Sequence, residues 1–149
     1  ESALKSAAEF GKRILVEEYI DGHEVECAVL GNDKPQTTVV GEIIPTAEFY
    51  DFEAKYVSGT TELQIPAKLP DDVSDSIRSY AARAFCSLGG RGLSRVDFFV
   101  RYSDGEVILN EINTMPGFTD ISMYPKLWGY MGLEYGALLD RLIKLAQER

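Results

Sequence analysis

Histidine is almost missing from this sequence: His23 is the single one among 149 residues. A cluster of imidazoles that binds zinc, or a catalytic pair of histidines, is therefore excluded. Cysteine is scarce too. Cys27 and Cys86 sit in apolar surroundings without metal-site spacing, which favours a reduced intracellular protein over a disulfide-built secreted one, although a bond between the two stays open. Charge breaks every apolar run well short of the roughly 20 residues needed to span a bilayer. The N-terminus has no basic stretch leading into an apolar one, so a soluble protein without a membrane partner is expected. Positive charge is in deficit: 15 Lys and Arg face 24 Asp and Glu, for a net charge of −9. That balance argues against non-specific binding to nucleic acid or anionic lipid. It leaves a nucleotide open, because a few acids can hold Mg2+ and the metal can carry the phosphates. Internal repeats and low-complexity linkers are also absent.

What is present is enough chain for one domain with an apolar core. Residues 1 to 10 carry helical spacing, with Leu4, Ala7 and Ala8 on one side and Gly11 as a stop. KRILVEEYI and HEVECAVLG are two strand-like runs, and Asp21-Gly22 between them predicts a two-residue hairpin. In the second run Val25, Cys27 and Val29 alternate with Glu24 and Glu26, predicting one buried face and one wet or functional face. TTVVGEIIPT reads as a further strand that Pro45 curtails. Residues 48 to 66 mix aromatic and charged side chains with weak periodicity. They predict a short turn or helix feeding a loop near Ser58 and Gly59, the kind of segment that carries lids and binding elements.

The clearest helix runs from about Leu69 to Gly90. Asp71 or Asp72 is its expected cap, Val73, Ile77, Tyr80, Ala81, Ala84, Phe85 and Leu88 its apolar stripe, and Gly89-Gly90 its stop. LSRVDFFVRY and EVILNEIN predict two strands, and LEYGALLDRLIKLAQER a final helix burying Leu138, Leu142 and Leu145. The whole reads as one α/β unit of the α+β kind, with a mainly antiparallel sheet and flanking helices.

The two late strands hold the most informative pattern. If Ser103, Asp104 and Gly105 form a three-residue loop with Gly105 at positive φ, Tyr102 pairs with Glu106. The same register sets Asp97 opposite Glu111 and Arg95 opposite Asn113, all four on one face. Facing carboxylates repel unless a cation or proton lies between them. An Asp, a Glu and an Asn offer only oxygen donors, the hard-ligand set expected for Mg2+, and the neighbouring arginine suits an anion. Glu111 sits centrally and could bridge two ions, with Asp97 on one and Asn113 on the other. The competing reading is an edge hairpin with solvent-facing acids relieved by Arg95.

Four segments, VEEYIDGHEVECAVLG, FYDFEAKYVSG, GLSRVDFFV and LNEINTMPGFTDIS, resemble in order and spacing the C-terminal ATP-grasp part of the D-alanine–D-alanine ligases. The resemblance covers nearly the whole chain, from about Ile14 to the final helix. It implies that Glu17 accepts from the adenine amino group, that Tyr19 and Ile20 form the backbone and apolar wall beside the ring, and that Glu24 holds the ribose hydroxyls. Lys55 corresponds to a phosphate-contacting lysine on a mobile loop, and Tyr56 to a tyrosine closing the amino-acid side. Arg95 corresponds to the arginine that meets developing negative charge; Asp97, Glu111 and Asn113 correspond to the metal ligands. Gly117 corresponds to an oxyanion-region glycine, Ser122 to the serine that meets a substrate carboxylate, and Met123 to an apolar position tied to specificity.

The resemblance also implies an activity: ATP-dependent joining of two D-alanines through an acylphosphate, for cell-wall precursor synthesis, with Mg2+ or Mn2+ as cofactor at two ions per site. A cytoplasmic homodimer is the expected parent. Relatives of this kind are roughly twice as long, so residues 1–149 are expected to be the C-terminal part of the ATP-grasp domain, lacking the N-terminal substrate domain and a central glycine-rich segment. The fragment alone is then expected to be inactive. Alternatives are a D-alanine–D-serine ligase, tied to antibiotic resistance, another ATP-grasp carboxylate–amine ligase, and a non-catalytic nucleotide-binding fragment. The Lys55-Tyr56 pair points to dipeptide formation and away from relatives that make an ester with D-lactate.

Overall fold

The computed structural model describes residues 2–45 and 61–148. Helix α1 (Ser2–Phe10) precedes strands β1 (Gly22–Gly31), β2 (Gln36–Pro45) and β3 (Thr61–Gln64). Helix α2 (Asp71–Ser87), strands β4 (Gly92–Arg101) and β5 (Val107–Asn113), and helices α3 (Met123–Tyr130) and α4 (Tyr135–Gln147) follow. The five strands form one sheet in the order β3-β2-β1-β4-β5, and every neighbouring pair is antiparallel.

The side-chain period of two gives the sheet two faces, and helices cover both. On one face α2 lays Ile77, Ala81 and Phe85 against Val25, Cys27 and Val29 of β1 and Val96, Phe98 and Val100 of β4. On the other, Met123, Tyr124, Leu127 and Trp128 of α3 and Leu138 and Leu145 of α4 pack on Ala28, Leu30 and Ile43. Each Val, Leu, Ile, Phe or Met side chain among them, fully buried, contributes roughly 1.5–3 kcal/mol before the entropy of ordering it is counted. Among the described residues no helix is long and apolar enough to cross a membrane.

Several sequence expectations are corrected here. KRILVEEYI is no strand: residues 12–20 have no regular structure and lie almost wholly exposed. Strand β1 already has β2 on one edge and β4 on the other, so no edge is left for a hairpin partner. Nor do Asp21 and Gly22 take the positive φ of a type I′ turn; the Asp21 carbonyl instead accepts the Tyr102 N–H at 3.0 Å. Strand β1 is buried on both faces from Val25 onward, so Glu26, expected on a wet or functional face, is only 4% exposed and that face is not wet there. Pro70, not an aspartate, is the N-cap of α2; Asp71 and Asp72 fall in its first turn, where they favour the helix dipole. Tyr80 and Leu88 lie off the buried stripe, and Leu142 is half-buried. The Cys27 thiol is buried and Cys86 exposed, both free, so they form no disulfide. Helix α3 was not anticipated, because it spans only eight residues between loops.

The β4–β5 register is right at the site for a different reason than expected. Arg101, not Tyr102, closes the loop: the Arg101 N–H donates to Glu106 O at 3.0 Å and the Gly105 N–H to Arg101 O at 2.9 Å, with Gly105 at φ +73°. From Val100↔Val107 to Phe98↔Leu109 the pairing is therefore one residue out of the expected register. A bulge at Asn110 then inserts one residue in β5 and restores Asp97↔Glu111 and Arg95↔Asn113.

Candidate nucleotide and metal site

Three cross-strand rows stand on the sheet face that α3 and α4 partly cover. Glu24 of β1 is paired with Phe99 of β4, and Phe99 with Ile108 of β5. The next row is Glu26, Asp97 and Glu111, and the one beyond it Ala28, Arg95 and Asn113. The first row opens into a cleft of about 690 Å³ whose walls include Glu17, Tyr19, Ile20, Glu24, Phe99 and Ile108. The unpaired segment before β1 thus forms one wall, and the apolar row residues form another. Carboxylate acceptors around an apolar slot suit a flat ring with an exocyclic amine and a sugar with hydroxyls. His23, Glu42 and Tyr102 also line this cleft: His23 Nδ1 and Glu42 Oε1 meet at 2.5 Å, and the His23 ring is edge-on to Tyr102 with centroids 4.7 Å apart.

The second and third rows hold the charges. The Arg95 guanidinium donates through Nε to Asp97 Oδ1 at 2.8 Å and through Nη2 to Asp97 Oδ2 at 2.7 Å, a bidentate pair. Its Nε also lies 3.2 Å from Glu26 Oε2. Asp97 and Glu26 are buried, while Glu111 is exposed beside them. Asn113 Oδ1 accepts the Met115 N–H at 3.1 Å and so shapes the turn that leaves β5.

That turn brings two further predicted residues together. A Cβ on Gly117 would lie 2.7 Å from Ser122 Oγ, so a larger residue there would have to displace that hydroxyl. Ser122 Oγ accepts the Thr119 N–H at 3.0 Å and lies 2.9 Å from Thr119 Oγ1. Ser122 is also the N-cap of α3. Its helix is seated by Gly41, where an added Cβ would meet Met123 Sδ at 2.6 Å and Leu127 Cδ2 at 3.1 Å. Met123, expected at an apolar position, is buried. Lys55 and Tyr56 lie outside the described residues.

Asp97, Glu111 and Asn113 offer the oxygen donors that Mg2+ prefers. Arg95 takes one acceptor site on each Asp97 oxygen, and a carboxylate oxygen has a second, so the set remains compatible with a cation. Among the described residues no group of three His, Cys, Asp or Glu could hold a metal by itself, so phosphate or water oxygens would have to complete the coordination. Sequence reasoning missed Phe99 and Ile108 as cleft floor, the His23–Glu42 pair, and Glu26 beside Arg95. The spacing of Glu24 and Glu26 hinted at the last, but only the β1–β4 pairing brings Glu26 to the arginine.

A five-stranded antiparallel sheet flanked by helices is the architecture of the C-terminal part of an ATP-grasp domain. The chain belongs to the family described as D-ala D-ala ligase C-terminus, whose model matches residues 1–144. It is 55% identical over 147 residues to a D-alanine–D-alanine ligase of Acetivibrio thermocellus, covering 99% of this chain and 39% of that protein. It is 56% identical over 149 residues to the one of Ruminiclostridium cellulolyticum, covering 99% and 40%. The chain thus spans about two fifths of the length of these curated relatives. Among solved structures it superposes on the D-alanine-D-alanine ligase from Coxiella burnetii with a TM-score of 0.83 at 42% identity, covering 97% of this chain and 37% of that one. The VanG D-Ala:D-Ser ligase from Enterococcus faecalis gives 0.81 at 38% identity, covering 97% and 43%.

Proposed function

We propose that this chain forms the nucleotide- and metal-binding part of a cytoplasmic, homodimeric ligase that uses ATP to join D-alanine to a second D-amino acid for cell-wall precursor synthesis. The observation that carries this reading is the continuity of one sheet face, from the acid-rimmed apolar cleft to the Arg95, Asp97, Glu111 and Asn113 rows. The relatives, named as D-alanine–D-alanine ligases, support the substrate assignment. Glu17 and Glu24 take the adenine amine and the ribose hydroxyls, and Tyr19 and Ile20 flank the ring. Asp97, Glu111 and Asn113 would hold Mg2+ or Mn2+, two ions per site. When bound, these ions screen the phosphate charge.

The chemistry needs no covalent enzyme intermediate. The carboxylate of the first D-alanine attacks the γ-phosphate, ADP leaves, and the amine of the second amino acid attacks the resulting acylphosphate, releasing phosphate. Arg95 meets the charge that develops on the phosphoryl group and on the tetrahedral oxyanion, with the Gly117 N–H aimed at the same oxygen. Ser122 receives the carboxylate of the acceptor, Lys55 meets the phosphates and Tyr56 contributes on the amino-acid side. A D-serine acceptor is the second reading, favoured by the close likeness to the VanG D-Ala:D-Ser ligase.

The test is Mg2+-dependent ADP release by the full-length polypeptide that contains this chain, with the product identified by mass. D-Alanyl-D-alanine is the expected product. Release only with D-serine as acceptor moves the protein to the second reading. No D-amino-acid-dependent release overturns both, in favour of another carboxylate–amine ligase or a nucleotide-binding role without catalysis.

A further inference from the structure

Glu26 has been given no part in the reaction, yet its surroundings are unusual for a strand acid. It stands in one row with Asp97 and Glu111 across three neighbouring strands. Three carboxylates abreast are mutually repulsive. Glu26 is 4% exposed, and the element that helps enclose it is α3, seated on Gly41, the β2 partner of Glu26. A carboxylate held there must be paired, because breaking a buried ion pair leaves an uncompensated charge. Its charge is paired with Arg95: Glu26 Oε2 lies 3.2 Å from Nε as an ion pair without a hydrogen bond, because the one Nε–H is donated to Asp97, which also holds Nη2. Two acids therefore share one guanidinium, and only one of them belongs to the proposed cation set.

We propose that Glu26 is a positioning residue whose charge, with Oε2 placed to accept the Nε–H that Asp97 now holds, keeps the Arg95 guanidinium in place when Asp97 is drawn toward a divalent cation. This rests on the functional reading above and extends it. Asp97 has two claimants, Arg95 and the metal. Without a second anchor, Arg95 either follows Asp97 or competes with the cation for it. With Glu26 Oε2 beside Nε and ready to take its N–H, Asp97 can engage the cation while Arg95 stays aimed at the reacting phosphoryl group. Buried partners that orient a site in this way typically contribute about 10- to 100-fold in activity or metal affinity.

The experiment compares Glu26→Gln with wild type in the full-length polypeptide, by steady-state ADP release and by Mn2+ titration followed by electron paramagnetic resonance. Glutamine keeps the size of the side chain and removes the charge. The expected result is a kcat lower by about tenfold or more, little change in KM for D-alanine, and a weaker apparent Mn2+ affinity in the resonance titration. Thermal unfolding reports whether the variant is folded. If it is not, Glu26→Asp, which retains the charge but draws it back from Nε, carries the same two readouts with smaller losses expected. Wild-type turnover with kcat and Mn2+ affinity unchanged in the folded variant overturns the positioning role and leaves the ligase reading intact. Absence of D-amino-acid-dependent turnover in wild type overturns both.

Discussion

Gly22 offers the sharpest steric test of the fold, because what blocks a larger residue there is backbone. It is the first residue of β1 and pairs with Arg101 of β4. A methyl group at this position would lie 2.4 Å from Val100 O, 2.8 Å from the carbonyl carbon and 3.0 Å from Arg101 Cα. Ordinary C···O approach is about 3.3–3.6 Å, so the overlap is on the order of 1 Å. No rotamer relieves it; β1 and β4 must part at this end. Overpacking of this kind costs about 1–3 kcal/mol, and loss of the adjoining Tyr102 N–H to Asp21 O bond adds about 1 kcal/mol. Gly22→Ala should therefore destabilise by about 2–4 kcal/mol, read as a lower urea midpoint. The single tryptophan, Trp128, is buried in α3 and supplies the fluorescence signal. Gly129→Ala is the control: it sits inside α3 with nothing within 4 Å of the added Cβ, and should stabilise by about 0.5–1 kcal/mol. A Gly22→Ala loss below about 0.5 kcal/mol, the range of ordinary surface changes, would refute the steric argument.

Three further outcomes follow from the described chemistry. Glu111→Gln removes one of the paired charges at an exposed position, so folding should be nearly unchanged while Mg2+-dependent turnover of the full-length protein falls by about 100-fold or more, the upper end of what even indirect metal partners cost; unchanged turnover sinks the ligand assignment. Burial pushes the Cys27 thiol up from 9.0 to about 12, against the smaller opposing effect of its Thr38 hydrogen bond. The native thiol then stays protonated while the unfolded one ionises, so stability is intact below about pH 9 and declines as pH rises toward 12. Cys27→Val should flatten that alkaline decline in urea midpoints. Iodoacetamide at pH 8 should label exposed Cys86 and spare Cys27, and native labelling of both would contradict the packing.

The sequence by itself determined which stretches alternate, which carry helical spacing, and that Arg95, Asp97, Glu111 and Asn113 share a face, since period two and a tight loop are local properties. Even there the agreement depended on compensation: the loop closes one residue early and the bulge at Asn110 takes up the difference. Motif order was enough to single out Glu17, Tyr19, Ile20 and Glu24, which lie together on the cleft. That they reach it from an unpaired segment is invisible locally, because KRILVEEYI has the composition of a strand. Its fate was decided by β2 and β4 occupying both edges of β1, a competition among residues far apart in the chain. The same long-range pairing buried Glu26 beside Arg95, although its neighbours in sequence give the alternation of a half-exposed strand. Helix α3 likewise took its place only through contact, with Gly41 leaving room for Met123 and so setting Ser122 beside Gly117. Periodicity is written residue by residue, but strand order and helix docking are chosen by which buried surfaces and ladder bonds are satisfied together, and that choice exists only in the folded chain.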